Sequence, residues 1–154
     1  MNRPRAIDFP FVAELVRDAT RKAVEARRGL PAEAIVRKPD GSVVTAVDVA
    51  LQVYILDALA QRFGEIATIA EEDAASIGGK SAAEAHCDLL LRQWGFEGGA
   101  ARRDWALSCG GLDGPTRDLE RVWILDPIDG TQGFVDGDHW CPCLALLEKG
   151  ERLA

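Results

Sequence analysis

The chain has 154 residues, 47% hydrophobic and 28% charged, enough for one well-cored unit and incompatible with compositional disorder. Lys and Arg number 18 against 25 Asp and Glu, and the net charge of −7 excludes sequence-independent nucleic-acid binding through a basic surface. No apolar run approaches the roughly 20 residues of a membrane span, and the start, Met1 to Arg5, lacks the apolar stretch of a signal peptide.

The first predicted element is a helix from Asp8 or Pro10 to Arg28. Phe11, Val12, Leu15, Val16, Ala19, Ala23 and Val24 recur at helical spacing, Asp8 caps the start, and Gly29 follows the basic end. Its Arg and Lys residues read as a solvated face. Ile35 to Lys38 and Ser42 to Val44 flank Pro39-Asp40-Gly41, a strand–turn–strand pattern. A second helix runs from Ala46 to Arg62 and stops at Gly64. Thr45 and Asp48 stand at its cap and third positions, where capping alone accounts for both.

Glu65 to Ala70 reads as a strand running into Glu71-Glu72-Asp73. Ser81 with Glu84 gives a capping-box signal for a third helix to Trp94. Residues 95 to 120, Gly-rich and charged, read as irregular. Arg121 to Leu125 is a buried strand and Asp126 to Thr131 a loop. A last strand spans Trp140 to Leu147, with a turn at Lys149 to Arg152. Cys87, Cys109, Cys141 and Cys143 form no disulfide framework and match no zinc-finger spacing. We read them as reduced cytoplasmic thiols, with Cys141 and Cys143 packed as small hydrophobes on one strand face.

Two strands thus end in acidic residues, Glu71-Glu72 after one and Asp126 and Asp129 after the other. Carboxylates gathered at one rim repel unless a cation neutralises them or some take up protons. Hard oxygen donors without His or Cys suit Mg²⁺, which shares its shell with phosphate oxygens. The Gly130-Thr131 step offers backbone N–H groups to an anion if a helix starts there.

The run Trp123-Ile124-Leu125-Asp126-Pro127-Ile128-Asp129-Gly130-Thr131-Gln132-Gly133-Phe134 closely resembles the signature of the lithium-sensitive, Mg²⁺-dependent phosphatases of the inositol monophosphatase superfamily. Lys38 to Asp48, ending in Thr-x-x-Asp, and Ala70 to Asp73 resemble two further family segments in the same order. Gly133-Phe134, the Cys143 to Leu147 strand and the long Glu71–Asp126 connection are similar to the 3′(2′),5′-bisphosphate nucleotidase branch, which removes the 3′-phosphate of 3′-phosphoadenosine 5′-phosphate to leave AMP. Gln132 departs from that branch, which usually carries Lys there.

The resemblance implies an α+β fold, the two-layer N-terminal half of the sugar-phosphatase architecture, with long helices packed on a mostly antiparallel sheet. It implies that Glu71, Asp126 and the Ile128 carbonyl hold an activating metal and that Asp126 and Asp129 reach a second. Asp48 and Thr131 would orient and deprotonate the attacking water, Gly130 and Thr131 N–H groups would hold the phosphate, and Glu72 would support its neighbour without ligating. Asp136 and Asp138 read as loop residues. Family members are longer, and their second half carries a Trp-Asp motif and much of the substrate pocket. On that basis residues 1–154 are expected to be an N-terminal metal-binding domain lacking the C-terminal half. The isolated chain is then expected to be weakly active or inactive, and to self-associate through the surface left bare. The expected partner is a small phosphorylated substrate, a nucleotide bisphosphate or an inositol phosphate, with no nucleic acid or membrane.

Overall fold

The computed structural model describes residues 7–109, 120–148 and the backbone of 151–152. Helix α1 (Phe9–Arg28) opens on Asp8, whose carboxylate accepts the Phe11 N–H at 3.1 Å. A 3₁₀ turn (Ala32–Ala34) leads into strand β1 (Ile35–Arg37), which pairs antiparallel with β2 (Val43–Thr45) as a two-stranded sheet of its own. The chain then enters α2 (Ala46–Phe63). It continues through β3 (Thr68–Ala70), α3 (Ser81–Gln93), α4 (Gly99–Ser108), β4 (Arg121–Asp129), α5 (Thr131–Asp136), β5 (Cys141–Glu148) and β6 (Glu151–Arg152).

The main sheet has the order β3-β4-β5-β6. β3 and β4 are parallel, with Ala70 opposite Leu125, whereas β4–β5 and β5–β6 are antiparallel. The sheet is therefore mixed but mostly antiparallel, and the expected α+β class of helices on sheets is the one observed. α2 is the centre of the core. Val47, Val49, Ala50, Leu51, Val53, Ile55, Leu56 and Leu59 are all fully buried, so the helix is apolar on nearly every side, as a helix enclosed by other elements must be. It touches α1, α3, α4 and β4. Trp123 of β4 stacks on Phe63 at the end of α2, with ring centroids 5.6 Å apart.

Six expectations need correction. The stretch expected to be irregular contains α4, whose Ala106 and Leu107 are buried against α2; its glycine-rich approach masks the helical signal. Residues 110–119 lie outside the described residues. Asp126 to Asp129 belongs to strand β4 and is not a loop: pairing to β5 continues to Asp129–Cys141 across an irregularity between Asp126 and Asp129. Ser81 does not cap α3. It is the first helical residue after Lys80, and Glu84 instead accepts the Gly79 N–H at 3.2 Å. Glu151 and Arg152 pair with β5 as a strand, not a turn. Asp136 is the last residue of α5 and accepts the Gln132 amide. The thiols of Cys141 and Cys143 do share a face of β5, but that face is exposed. Among the described residues no helix is long and apolar enough to cross a membrane.

Candidate metal and phosphate site

The parallel pairing of β3 and β4 decides where the carboxylates meet. Because Ala70 lies opposite Leu125, the next residues, Glu71 and Asp126, leave the same rim side by side. The Glu71 N–H donates to the Leu125 carbonyl at 3.0 Å. Glu71 stays exposed at that rim, yet enough protein surrounds its carboxyl that desolvation, a hydrogen bond with Asp126 and the Asp126 charge raise its pKa from 4.5 to about 8. Glu71 therefore holds its proton at neutral pH. A hard cation between the two carboxylates would take that proton's place, so the donor set fits Mg²⁺.

Asp48 enters from another element. Its place in the first turn of α2 follows from the capping box: the Thr45 side chain caps the helix, and Asp48 Oδ2 accepts the Thr45 N–H at 2.9 Å and the Thr45 hydroxyl at 2.5 Å. The other carboxylate oxygen, Oδ1, faces Thr131 Oγ1 at 2.8 Å. One oxygen thus serves the cap and the other a residue 83 positions away. Asp48 is fully buried. Burial lifts its pKa to about 6, against the opposing hydrogen bonds from Thr45 and Thr131.

Thr131 begins α5 directly after Gly130, which holds a left-handed φ of 86°. A side chain there would be strained, and its Cβ would come within 3.1 Å of the His139 carbonyl oxygen. Thr131 Oγ1 also lies 3.1 Å from the Ile128 carbonyl, and the Ile128 N–H donates to Asp126 Oδ1 at 3.1 Å. The Asp126–Thr131 run is thereby tied into one hydrogen-bonded bend, with Ile128 buried beneath it.

Two residues outside the expected set build the rim. Glu72 is buried, and its carboxylate accepts from Lys38 Nζ at 3.0 Å. Desolvation works against the Lys38 charge, but Glu72 outweighs it and holds the lysine pKa above its usual value, with Glu71 and Asp48 adding to the effect. Gln52 of α2 clamps the Glu72 backbone, donating to its carbonyl at 2.5 Å and accepting its N–H at 2.9 Å. Lys38 follows β1 and Gln52 lies in an apolar helix. Only the second carries a sequence cue, a polar residue within a buried stripe.

Asp129 is placed differently from Asp126. Its carboxylate faces the Cys143 thiol, Oδ2 to Sγ being 4.0 Å. Among the described residues, the His, Cys, Asp and Glu ligand atoms that converge in a group of three belong to Asp129, Cys141 and Cys143, and not to Glu71, Asp126 and Asp129. Partial desolvation, then Cys141, Asp129 and Asp126, push the Cys143 thiol up to about 11, so it stands neutral beside the carboxylates.

Against known proteins, the Inositol monophosphatase family profile matches residues 10–154. A 3′(2′),5′-bisphosphate nucleotidase of Emericella nidulans is 33% identical over 136 residues, covering 78% of this chain and 37% of that protein. A 3′(2′),5′-bisphosphate nucleotidase of Oryza sativa is 30% identical, covering 96% of this chain and 46% of that protein. The chain thus spans less than half the length of these curated relatives. Among solved structures, an IMPase of Thermotoga maritima superposes with a TM-score of 0.58 at 22% identity, over 94% of this chain and 40% of that one. The suhB protein of Bartonella henselae gives 0.59 at 16%, over 94% and 41%. The ordered acidic rim, the Asp48–Thr131 pair and these matches agree: the chain belongs to the inositol monophosphatase family.

Proposed function

We propose that this chain carries the acidic and hydroxyl machinery of a Mg²⁺-dependent phosphomonoester hydrolase. The preferred reaction is removal of the 3′-phosphate from 3′-phosphoadenosine 5′-phosphate. The observation that carries the reading is the Glu71–Asp126 pair, set side by side by the parallel β3–β4 register, together with the hydrogen bond from Thr131 to the buried Asp48. The substrate class rests on the names of the relatives.

In this reading Glu71, Asp126 and the Ile128 carbonyl would hold the first ion, and Asp126 would hold the second with Asp129, whose carboxylate would turn from the Cys143 thiol to reach it. Bound Mg²⁺ supplies Lewis-acid charge for the phosphate and lowers the pKa of water at the site. Asp48 is the proton acceptor. Its carboxylate pKa near 6 leaves it mostly ionised at neutral pH yet basic enough to take a proton through the Thr131 hydroxyl, which lies 2.8 Å away. Thr45 holds the opposite oxygen of Asp48, so the acceptor cannot rotate away. The N–H groups of Gly130 and Thr131 hold the phosphate. Glu72, engaged by Lys38 and Gln52, keeps Glu71 at the rim without ligating.

Gln132 favours a second reading, an inositol-phosphate or other small phosphomonoester phosphatase. Its amide is spent on Asp136, 2.9 Å away, where the nucleotidase branch usually presents a cation. Calorimetric titration with Mg²⁺ tests the metal step: the chain binds, and Asp126→Asn loses most of the heat. Binding indifferent to Asp126→Asn would favour a non-catalytic chain. Phosphate release from 3′-phosphoadenosine 5′-phosphate and from inositol monophosphate, measured side by side, separates the two substrate readings.

A further inference from the structure

Cys141 and Cys143 stand two residues apart in β5, and an extended backbone directs both thiols to the same face. Both are exposed, with the sulfurs 3.6 Å apart. The β4–β5 register sets them beside acidic residues, Cys143 opposite Asp126 and Cys141 opposite Asp129. The irregularity in β4 brings the Asp129 carboxylate to the thiols, and all three ligand atoms lie within 4.8 Å of one another.

We propose that Asp129, Cys141 and Cys143 form a three-ligand site for a thiophilic divalent cation of the Zn²⁺ or Cd²⁺ class. The spacing suits such an ion. Tetrahedral zinc with Zn–S bonds of about 2.3 Å sets two sulfurs about 3.8 Å apart, close to the separation already present. A carboxylate oxygen about 2.1 Å from the same ion would lie about 3.6 Å from each sulfur, a small side-chain rotation from the observed Asp129–Cys143 distance of 4.0 Å. Two soft sulfurs select this class of ion over Mg²⁺. Each thiol gives up its proton to solvent as it ligates, and the fourth position opens to water on an exposed face.

The site does not rest on the phosphatase reading and shares only Asp129 with it. A thiophilic ion seated here keeps that carboxylate on the thiol side, away from Glu71 and Asp126, which makes the thiol pair a point where soft cations oppose Mg²⁺.

The test uses the whole chain, reduced with a phosphine and freed of metal, in excess Mg²⁺. Titration with Cd²⁺ is followed by thiolate-to-cadmium charge-transfer absorbance, and with Zn²⁺ by calorimetry. We expect one ion per chain. Cys141→Ser and Cys143→Ser each weaken binding by about tenfold or more, and the double variant loses the band. Asp129→Asn keeps the band but binds less tightly. Circular dichroism establishes that the variants fold, as substitutions of exposed thiols should. A parent chain without the band, or a band of full strength in the double variant, overturns the site. The second result would assign the absorbance to Cys87 and Cys109. Unchanged affinity in Asp129→Asn overturns the three-ligand arrangement.

Discussion

At the scale of single residues, the candidate site depends on carboxylates kept away from their ordinary ionisation. Asp48 accepts through both oxygens, and Thr131 supplies the bond to the one that faces the rim. Thr131→Val leaves that buried oxygen without a donor, and we expect a loss of about 1–3 kcal/mol in denaturant-unfolding stability. An unchanged midpoint would show that the pairing contributes nothing. Glu71 carries a pH signature. Its folded pKa of about 8 exceeds the ordinary 4.5, so the folded state holds the proton more tightly. The stability it contributes is complete below about 4.5 and is lost as pH rises through about 8. Asp48, raised from 3.8 to about 6, acts in the same direction over its own range. Metal-free protein should therefore melt at progressively lower temperature from mildly acidic to mildly alkaline pH, with a shallower slope in Glu71→Gln. Mg²⁺ should raise Tm most at the alkaline end, where the carboxylates are ionised. An equal slope in Glu71→Gln would contradict the assignment.

At the scale of elements, two close approaches hold the rim in place. α5 is packed against the turn that feeds β5: a Cβ at Gly133 would lie 2.2 Å from the His139 carbonyl oxygen. Gly133→Ala must displace that turn, and overpacking of this kind costs about 1–3 kcal/mol, readable by thermal or denaturant unfolding. α2 is tied to the segment after β3 by Gln52, which bonds both backbone groups of Glu72 and also the Ala106 carbonyl at 3.0 Å. Gln52→Leu keeps the volume but strands three buried backbone groups, and we expect a loss of about 3 kcal/mol. A near-neutral result would mean that water reaches all three.

Across the whole molecule, a charge pair ties the turn of the small β1–β2 sheet to the segment that follows β3. Lys38, just past β1, reaches Glu72, whose side chain is 1% exposed. Removing one member of a buried pair leaves an uncompensated charge, so Lys38→Met should cost about 3 kcal/mol or more. Adding Glu72→Gln should recover part of that loss, because the stranded charge is gone. A double variant less stable than Lys38→Met alone would refute the pairing as the source of the effect.

The amino-acid sequence by itself determined the local signals: the Asp8 and Thr45 caps, the helical period of α1 and α2, the turn at Pro39-Asp40-Gly41, and the order of the acidic motifs. Each acts within a few residues, through backbone hydrogen bonds or one helical face. Tertiary structure decided what those motifs meet. Parallel pairing of β3 with β4 set Glu71 against Asp126, packing of α5 at the rim brought Thr131 to Asp48, and the β4–β5 register turned Asp129 toward two thiols expected to be buried. Register and cross-strand neighbours are set by packing between distant segments. No local pattern around Asp129 or Cys143 could therefore show that they stand side by side.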